Sequence, residues 1–207
     1  MTEMEEQALV TTTPEGALSV WTDKGAFDQM ARASAMLAKS QIVPQNYQNR
    51  PEDCFIACEM AARMNTSPIF VMQNLYIVKG KPTWAGQACM AMINACGRFR
   101  NVKHVYTGEK GTDSRGCYVT AVRISDGETV NGTEVTMRLV KDEGWISNSK
   151  WRTMPEQMLG YRAASFFARM YCPEALMGLQ TYDEVIDTTP TKTTASTLAD
   201  ALKGENA

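Results

Sequence analysis

The chain has 207 residues, 44% hydrophobic and 21% charged, with a formal net charge of −2, a composition that fits a soluble globular chain with one good core or two lobes. No apolar run approaches the roughly 20 residues that span a bilayer. The N-terminus MTEMEEQALV is acidic where a signal peptide is basic, so the expected location is the cytoplasm and no membrane partner is expected. Six cysteines without a Cys-x-x-Cys pair, and His104 as the only histidine, fit neither a disulfide scaffold nor a zinc site. The net charge hides an uneven distribution. Residues 1–23 carry five acids and no Lys or Arg, residues 173–207 six acids against two bases, and residues 79–172 fourteen bases against eight acids. Acidic ends around a basic middle suit a nucleic-acid-binding protein, the other reading being solvated termini.

Residues 1–23 read as a flexible acidic N-terminus, 24–187 as a single domain and 188–207 as a flexible tail. Gly25 to about Ser40 places Phe27, Met30, Ser34, Leu37 and Ala38 on one helical face. Pro51 opens a second helix to about Met64, in which Cys54 and Cys58 read as buried small hydrophobes rather than half a metal site. Leu75 to Val78, a turn at Lys79-Gly80-Lys81 and the return Pro82-Thr83-Trp84 predict a hairpin. Its tip presents Lys79 and Lys81 to a phosphate backbone, and Trp84 is either a base-stacking side chain or a core one. Gln87 to Cys96 is a helix rich in small residues. From Arg98 the pattern turns to strands, expected at RFRNVKHVYTG, GCYVTAVRIS and EVTMRLV, with Arg98, Arg100 and Lys103 opening the first.

The longest element is expected to start at Pro155, where Thr153 and Glu156 have capping-box spacing, and to run to about Tyr171 before Pro173. A core helix has no need of Arg162 and Arg169, which are seven residues apart and so on one side, preceded by Lys150, Trp151 and Arg152. Lys79, Lys81, Arg98, Arg100, Lys103, Lys150, Arg152, Arg162 and Arg169 are therefore the expected phosphate contacts, with Trp84 and Trp151 the stacking candidates. For Arg162 and Arg169 the competing reading is internal neutralisation by Asp183 and Glu184.

No catalytic centre is expected. The turn Gly108-Glu109-Lys110-Gly111-Thr112 lacks the spacing and the following helix of a phosphate loop, and no carboxylates cluster as in a two-metal nuclease. A Cys–His nucleophile using His104 is the weaker reading.

Two runs carry a resemblance. The first is VMQNLYIVKGKPTWAGQACMAMINACGRF, from Val71 to Phe99. The second is Lys150-Trp151, Thr153-Met154-Pro155-Glu156, Met158-Leu159, Tyr161-Arg162-Ala163-Ala164, Phe166-Phe167-Ala168-Arg169, then Cys172-Pro173-Glu174 to Met177-Gly178 with Thr181, Asp183 and Glu184. In this order they resemble the RecT family of phage single-strand DNA annealing proteins, over about residues 25–187. The resemblance implies an α+β fold, with N-terminal helices and a β-hairpin, then an antiparallel three-stranded sheet followed by a long core helix, a β-β-β-α core. It implies ATP-independent binding of single-stranded DNA and annealing of complementary strands in homologous recombination, through an annealed duplex intermediate on a homo-oligomeric ring or helical filament. No cofactor is required, with Mg2+ admitted only as a modulator of DNA binding. A phage exonuclease is the implied partner. Family members commonly continue past the core, whereas about twenty residues follow Asp187 here, which leaves contact with a host single-strand-binding protein open. The alternatives are an RNA- or duplex-DNA-binding module and an oligomeric scaffold without annealing activity.

Overall fold

The structure, a computed structural model, describes residues 20–78 and 80–188, which divide after Asn74 into two compact units. Lys79, most of the expected flexible N-terminus and nearly all of the expected tail lie outside the described residues.

The first unit is helical. Asp23 accepts a hydrogen bond from the Ala26 amide at 2.6 Å and so caps α1 (Lys24–Ala38), a contact that contributes about 1 kcal/mol. Helix α2 (Pro51–Arg63) begins on a proline, which loses no hydrogen bond there, and carries Glu52 and Asp53 in its first turn, where the helix dipole favours acids. The two helices pack together, and Ser34, Ala38, Ala57, Cys58 and Ala61 are buried. Cys54 and Cys58 are both buried and free, and burial pushes both thiols above their ordinary range. Trp21, within the stretch expected to be flexible, stands edge-on to Phe55 at 5.6 Å, and Phe27 lies 5.0 Å from the same ring. A third helix, α3 (Pro68–Asn74), completes the unit.

The second unit is mixed α+β. Strands β1 (Leu75–Val78) and β2 (Lys81–Trp84) form the expected antiparallel hairpin. Then come α4 (Ala88–Ala95) and the larger antiparallel sheet of β3 (Phe99–Thr107), β4 (Gly116–Arg123), β5 (Thr129–Asn131) and β6 (Val135–Thr136). Strand β4 pairs with β3 along one edge and with β5 and β6 along the other. The third expected strand is thus corrected. EVTMRLV is extended only at β6, because the Thr136 hydroxyl accepts from the Leu139 amide at 3.1 Å and starts a helix, α5 (Met137–Asp142). An alternation of Val135, Met137 and Leu139 reads as a strand, but after the buried Val135 it is Val140 that is buried, with Met137 and Leu139 only half-buried. The segment read as a connection supplies β5.

Helices α6 (Lys150–Thr153) and α7 (Pro155–Tyr171) follow. Alternate residues Cys117, Val119 and Ala121 of β4 are almost fully buried on the face that α7 covers. Phe167 of α7 meets Phe99 edge-on at 5.3 Å, and the burial of a ring this size is worth about 2–3 kcal/mol. Tyr106 donates to the Glu156 carbonyl at 3.0 Å and the His104 ring nitrogen bonds the Gly160 carbonyl at 3.1 Å, which fixes α7 across the strands. Pro155 starts α7 as expected, but no capping box forms there. The N-cap is Met154, without a side-chain bond, while Thr153 donates to Ser149 and Glu156 is taken by Arg115. A capping box exists at Thr181 and Glu184, where α8 (Tyr182–Asp187) begins after β7 (Gln180–Thr181), which pairs parallel with β2. No helix among the described residues is long and apolar enough to cross a membrane.

The β3–β4 turn depends on Gly108, whose φ is +63° and where an added Cβ would lie 1.9 Å from the Ser114 carbonyl oxygen. Gly108→Ala is expected to destabilise the unit by about 3 kcal/mol in urea denaturation. An unchanged midpoint would show that the turn relaxes freely.

Candidate nucleic-acid interface

The basic side of α7 is met by the acids of α8. Arg162 is 4% exposed and pairs with Asp187, whose carboxylate also accepts from Trp151 Nε1 at 2.9 Å and Asn148 Nδ2 at 3.0 Å. The guanidinium lies 4.0 Å from the Trp145 ring centre. Burial lowers the Arg162 pKa against the charges of Glu184, Asp187 and Asp183, and raises that of Asp187 against the hydrogen bonds from Asn148 and Trp151 and the charge of Arg162. Arg169 donates twice to Glu184, at 2.9 and 2.8 Å. Burial pushes the Glu184 carboxyl up, but the Arg169 fork and the Thr181 amide outweigh it and hold it below its ordinary range. Lys150 reaches Asp183 at 3.2 Å.

The expected contacts at Arg162, Trp84 and Trp151 are therefore corrected. Arg162 is an internal cation, with no guanidinium face left for a phosphate. Arg169, Lys150 and Arg98 are half-exposed but neutralised, Arg98 by Glu174 at 2.6 Å. Trp84 and Trp151 are fully buried, with Trp84 Nε1 bonded to the Leu176 carbonyl at 3.0 Å, so neither ring is open to a base. The reason is shared: α8 and the turn before β7 close over this side of the unit.

The remaining expected cations among the described residues stand open. Lys81, Arg100, Lys103 and Arg152 are exposed and make no ion pair among the described residues. Arg100 and Lys103 flank the irregularity in β3 at Asn101, which has φ +55° or so in the left-handed region, and pair with Val122 and Thr120. Partners across strands share a face, so both cations lie on the face opposite α7, beside the half-buried Tyr118, Thr120 and Val122.

The sequence reading missed a crevice of about 350 Å³ between the β3–β4 turn, α5 and the start of α7. Lys110, Arg115, Lys141 and Arg152 line it, with Asp113 and Glu156. Arg115 grips Glu156 at 2.9 and 2.6 Å and holds its carboxyl below the usual range, and Lys141 pairs with Asp113. Lys110 and Arg152 make no ion pair among the described residues, so the crevice is basic. The one signal in the chain was Lys110 between two glycines, set aside as an imperfect phosphate loop. A second cleft, of about 480 Å³, opens beside Lys150 and three tyrosines.

Arg162→Ala is expected to cost about 3–5 kcal/mol in urea denaturation, because it strands the Asp187 charge. A loss below about 1 kcal/mol would mean that the pair is unimportant to the fold. Glu184 has a folded pKa below its ordinary 4.5, so its stabilisation is complete above that pH and lost as pH falls through the folded value. Glu184→Gln is expected to lower stability at neutral pH and flatten the acid limb below about pH 4.5. An acid limb as steep as the parent's would refute this.

Neither the curated proteins nor the solved structures contain a match to this chain. The RecT family model does match, over residues 28–196, a span that holds the hairpin, the sheet and the whole α6–α7–α8 cluster. The chain belongs to the RecT family, a family of single-strand annealing proteins of phage-type DNA recombination.

Proposed function

We propose that this chain binds single-stranded DNA without ATP and anneals complementary strands, with Arg100, Lys103, Lys110 and Arg152, helped by Lys81, as its phosphate contacts. The supporting observation is the division of cations in the second unit. Lys150, Arg162 and Arg169 are neutralised by one short acidic helix, whereas these five make no ion pair among the described residues. Unpaired cations on one unit neutralise phosphates and release counterions, which binds any sequence. A strand held by its backbone leaves base edges accessible to a complementary strand. Pairing and stacking then supply the free energy, so hydrolysis has no role to fill.

In this reading β3, β4 and β5 with α7 serve as the β-β-β-α annealing core, and the protein needs no catalytic centre. Mg2+ acts only as a competitor for phosphates. Annealing on long strands calls for many subunits, and the first unit offers apolar surface for contacts between copies: Trp21, Met36, Ile42 and Ile56 are each about half exposed or more. A nuclease that exposes single strands is the fitting partner.

The test is a fluorophore–quencher annealing assay without ATP. Rapid quenching with complementary strands and none with a non-complementary pair is expected. Binding without acceleration would reduce the protein to a coating module, and preference for duplex would replace the reading. Lys103→Ala and Arg152→Ala are each expected to lower the slope of log affinity against log salt by about 0.7, one phosphate contact on a single strand. An unchanged slope would remove that residue from the interface.

A further inference from the structure

We infer that the cleft between β1, α7 and α8 receives one unstacked base of the bound strand, with Lys150 on the neighbouring phosphate; this rests on the single-strand reading above. The cleft, about 480 Å³, is of the size that takes a small planar ligand. Its walls are three tyrosines from three elements: Tyr76 of β1, Tyr161 of α7 and Tyr182 at the start of α8. Tyr76 and Tyr182 meet nearly edge-on at 6.5 Å and 71°. That edge-to-face arrangement sets the two rings at a steep angle as walls of the cleft rather than stacked on each other.

The third wall is set by a missing side chain. A Cβ at Gly86 would come within 2.9 and 3.0 Å of two Tyr161 ring atoms and 3.1 Å of the Tyr161 Cβ, so the side chain rests directly on the backbone there. Gln157 donates to the Tyr161 hydroxyl and steadies it from the next turn of the helix. Phenol rings on several sides favour a flat π-system over an aliphatic chain.

The polar groups name the rest of the ligand. Lys150 Nζ lies 5.0 Å from the Tyr182 ring centre and 3.2 Å from Asp183 Oδ1, with its side chain 44% exposed. An ammonium beside a stacking surface suits an anion attached to a ring, which is the chemistry of a nucleotide. The Asp183 carboxylate beside it accepts from N–H groups on a base edge. Lys150, paired with Asp183 at rest, turns to the phosphate when a nucleotide enters. The same chemistry belongs to a base within a strand and to a free mononucleotide; the strand is assigned because Lys81, exposed and the cross-strand partner of the cleft-lining Val78, sets a second cation beside the cleft for a further phosphate.

The test uses the full chain with oligothymidylate and an abasic deoxyribose-phosphate polymer of equal length, read by fluorescence anisotropy. The base-bearing strand is expected to bind about tenfold more tightly, the weight of one stacked base. Tyr161→Leu, or Tyr76→Leu at a strand position that is 44% exposed, is expected to bring the two polymers to parity. Equal binding of both polymers by the parent protein, or a preference that survives both substitutions, overturns the inference while leaving single-strand binding intact. Saturable binding of thymidine monophosphate that the strand does not displace overturns the assignment to a strand base. Failure to bind either polymer sinks the single-strand reading itself, and this inference with it.

Discussion

The buried pair of Arg162 and Asp187 is the constraint on which the second unit depends. Two charges out of water cost several kcal/mol each unless they find one another and their remaining hydrogen bonds. Here Asp187 gathers three donors, from Arg162, Asn148 and Trp151, and the Arg162 guanidinium stacks against Trp145. That geometry ties α6, α7, α8 and the short turn at Trp145–Ser147 to a single point. Removing either ion strands the other, which is a stronger constraint than any exposed pair nearby, such as Arg138 with Asp142. Glu184 adds a second tie: it takes the Arg169 fork, the Ser165 hydroxyl and its own capping bond from Thr181. A helix of six residues has little stability of its own, and these contacts are what keep α8 in place.

The constraint sorts the positive charge of the protein. The cations nearest α8 hold the fold together, whereas Arg100, Lys103, Lys110 and Arg152 make no ion pair among the described residues. Nucleic-acid binding draws first on the second kind, because a phosphate that must displace a buried, well-placed carboxylate gains little. Lys150 lies between the classes, half-exposed and held by one acid, which suits a contact made on demand.

Much of the fold was readable from local chemistry. Pro51 and Pro155 mark helix starts, and the hairpin at residues 75–84 follows from a β-prone run and a glycine turn. The third strand failed because Val135, Met137 and Leu139 alternate, yet the Thr136 hydroxyl caps a helix, and one side-chain bond decides between the two. The site was legible by residue type and not by direction. Arg162 and Arg169 lie on one side of α7, as their spacing demands, but spacing does not say whether DNA or α8 lies opposite. The chain held the counter-signal in Asp183, Glu184 and Asp187, which belong to a helix too short to stand out. Trp84 and Trp151 went the same way, since each indole N–H has an internal acceptor brought close only by the tertiary fold. Lys110, Tyr76 and Tyr182 were missed because each joins its partners from distant parts of the chain.

The measurement that bears most directly on this division of cations is lysine acetylation footprinting of the full chain, by mass spectrometry, with and without saturating oligothymidylate. Protection of Lys103 and Lys110 by the strand, with Lys24 and Lys39 of the first unit modified equally in both states, is the result the account predicts. Unchanged modification of Lys103 and Lys110 on a strand-bound protein would contradict it and move the DNA to another surface.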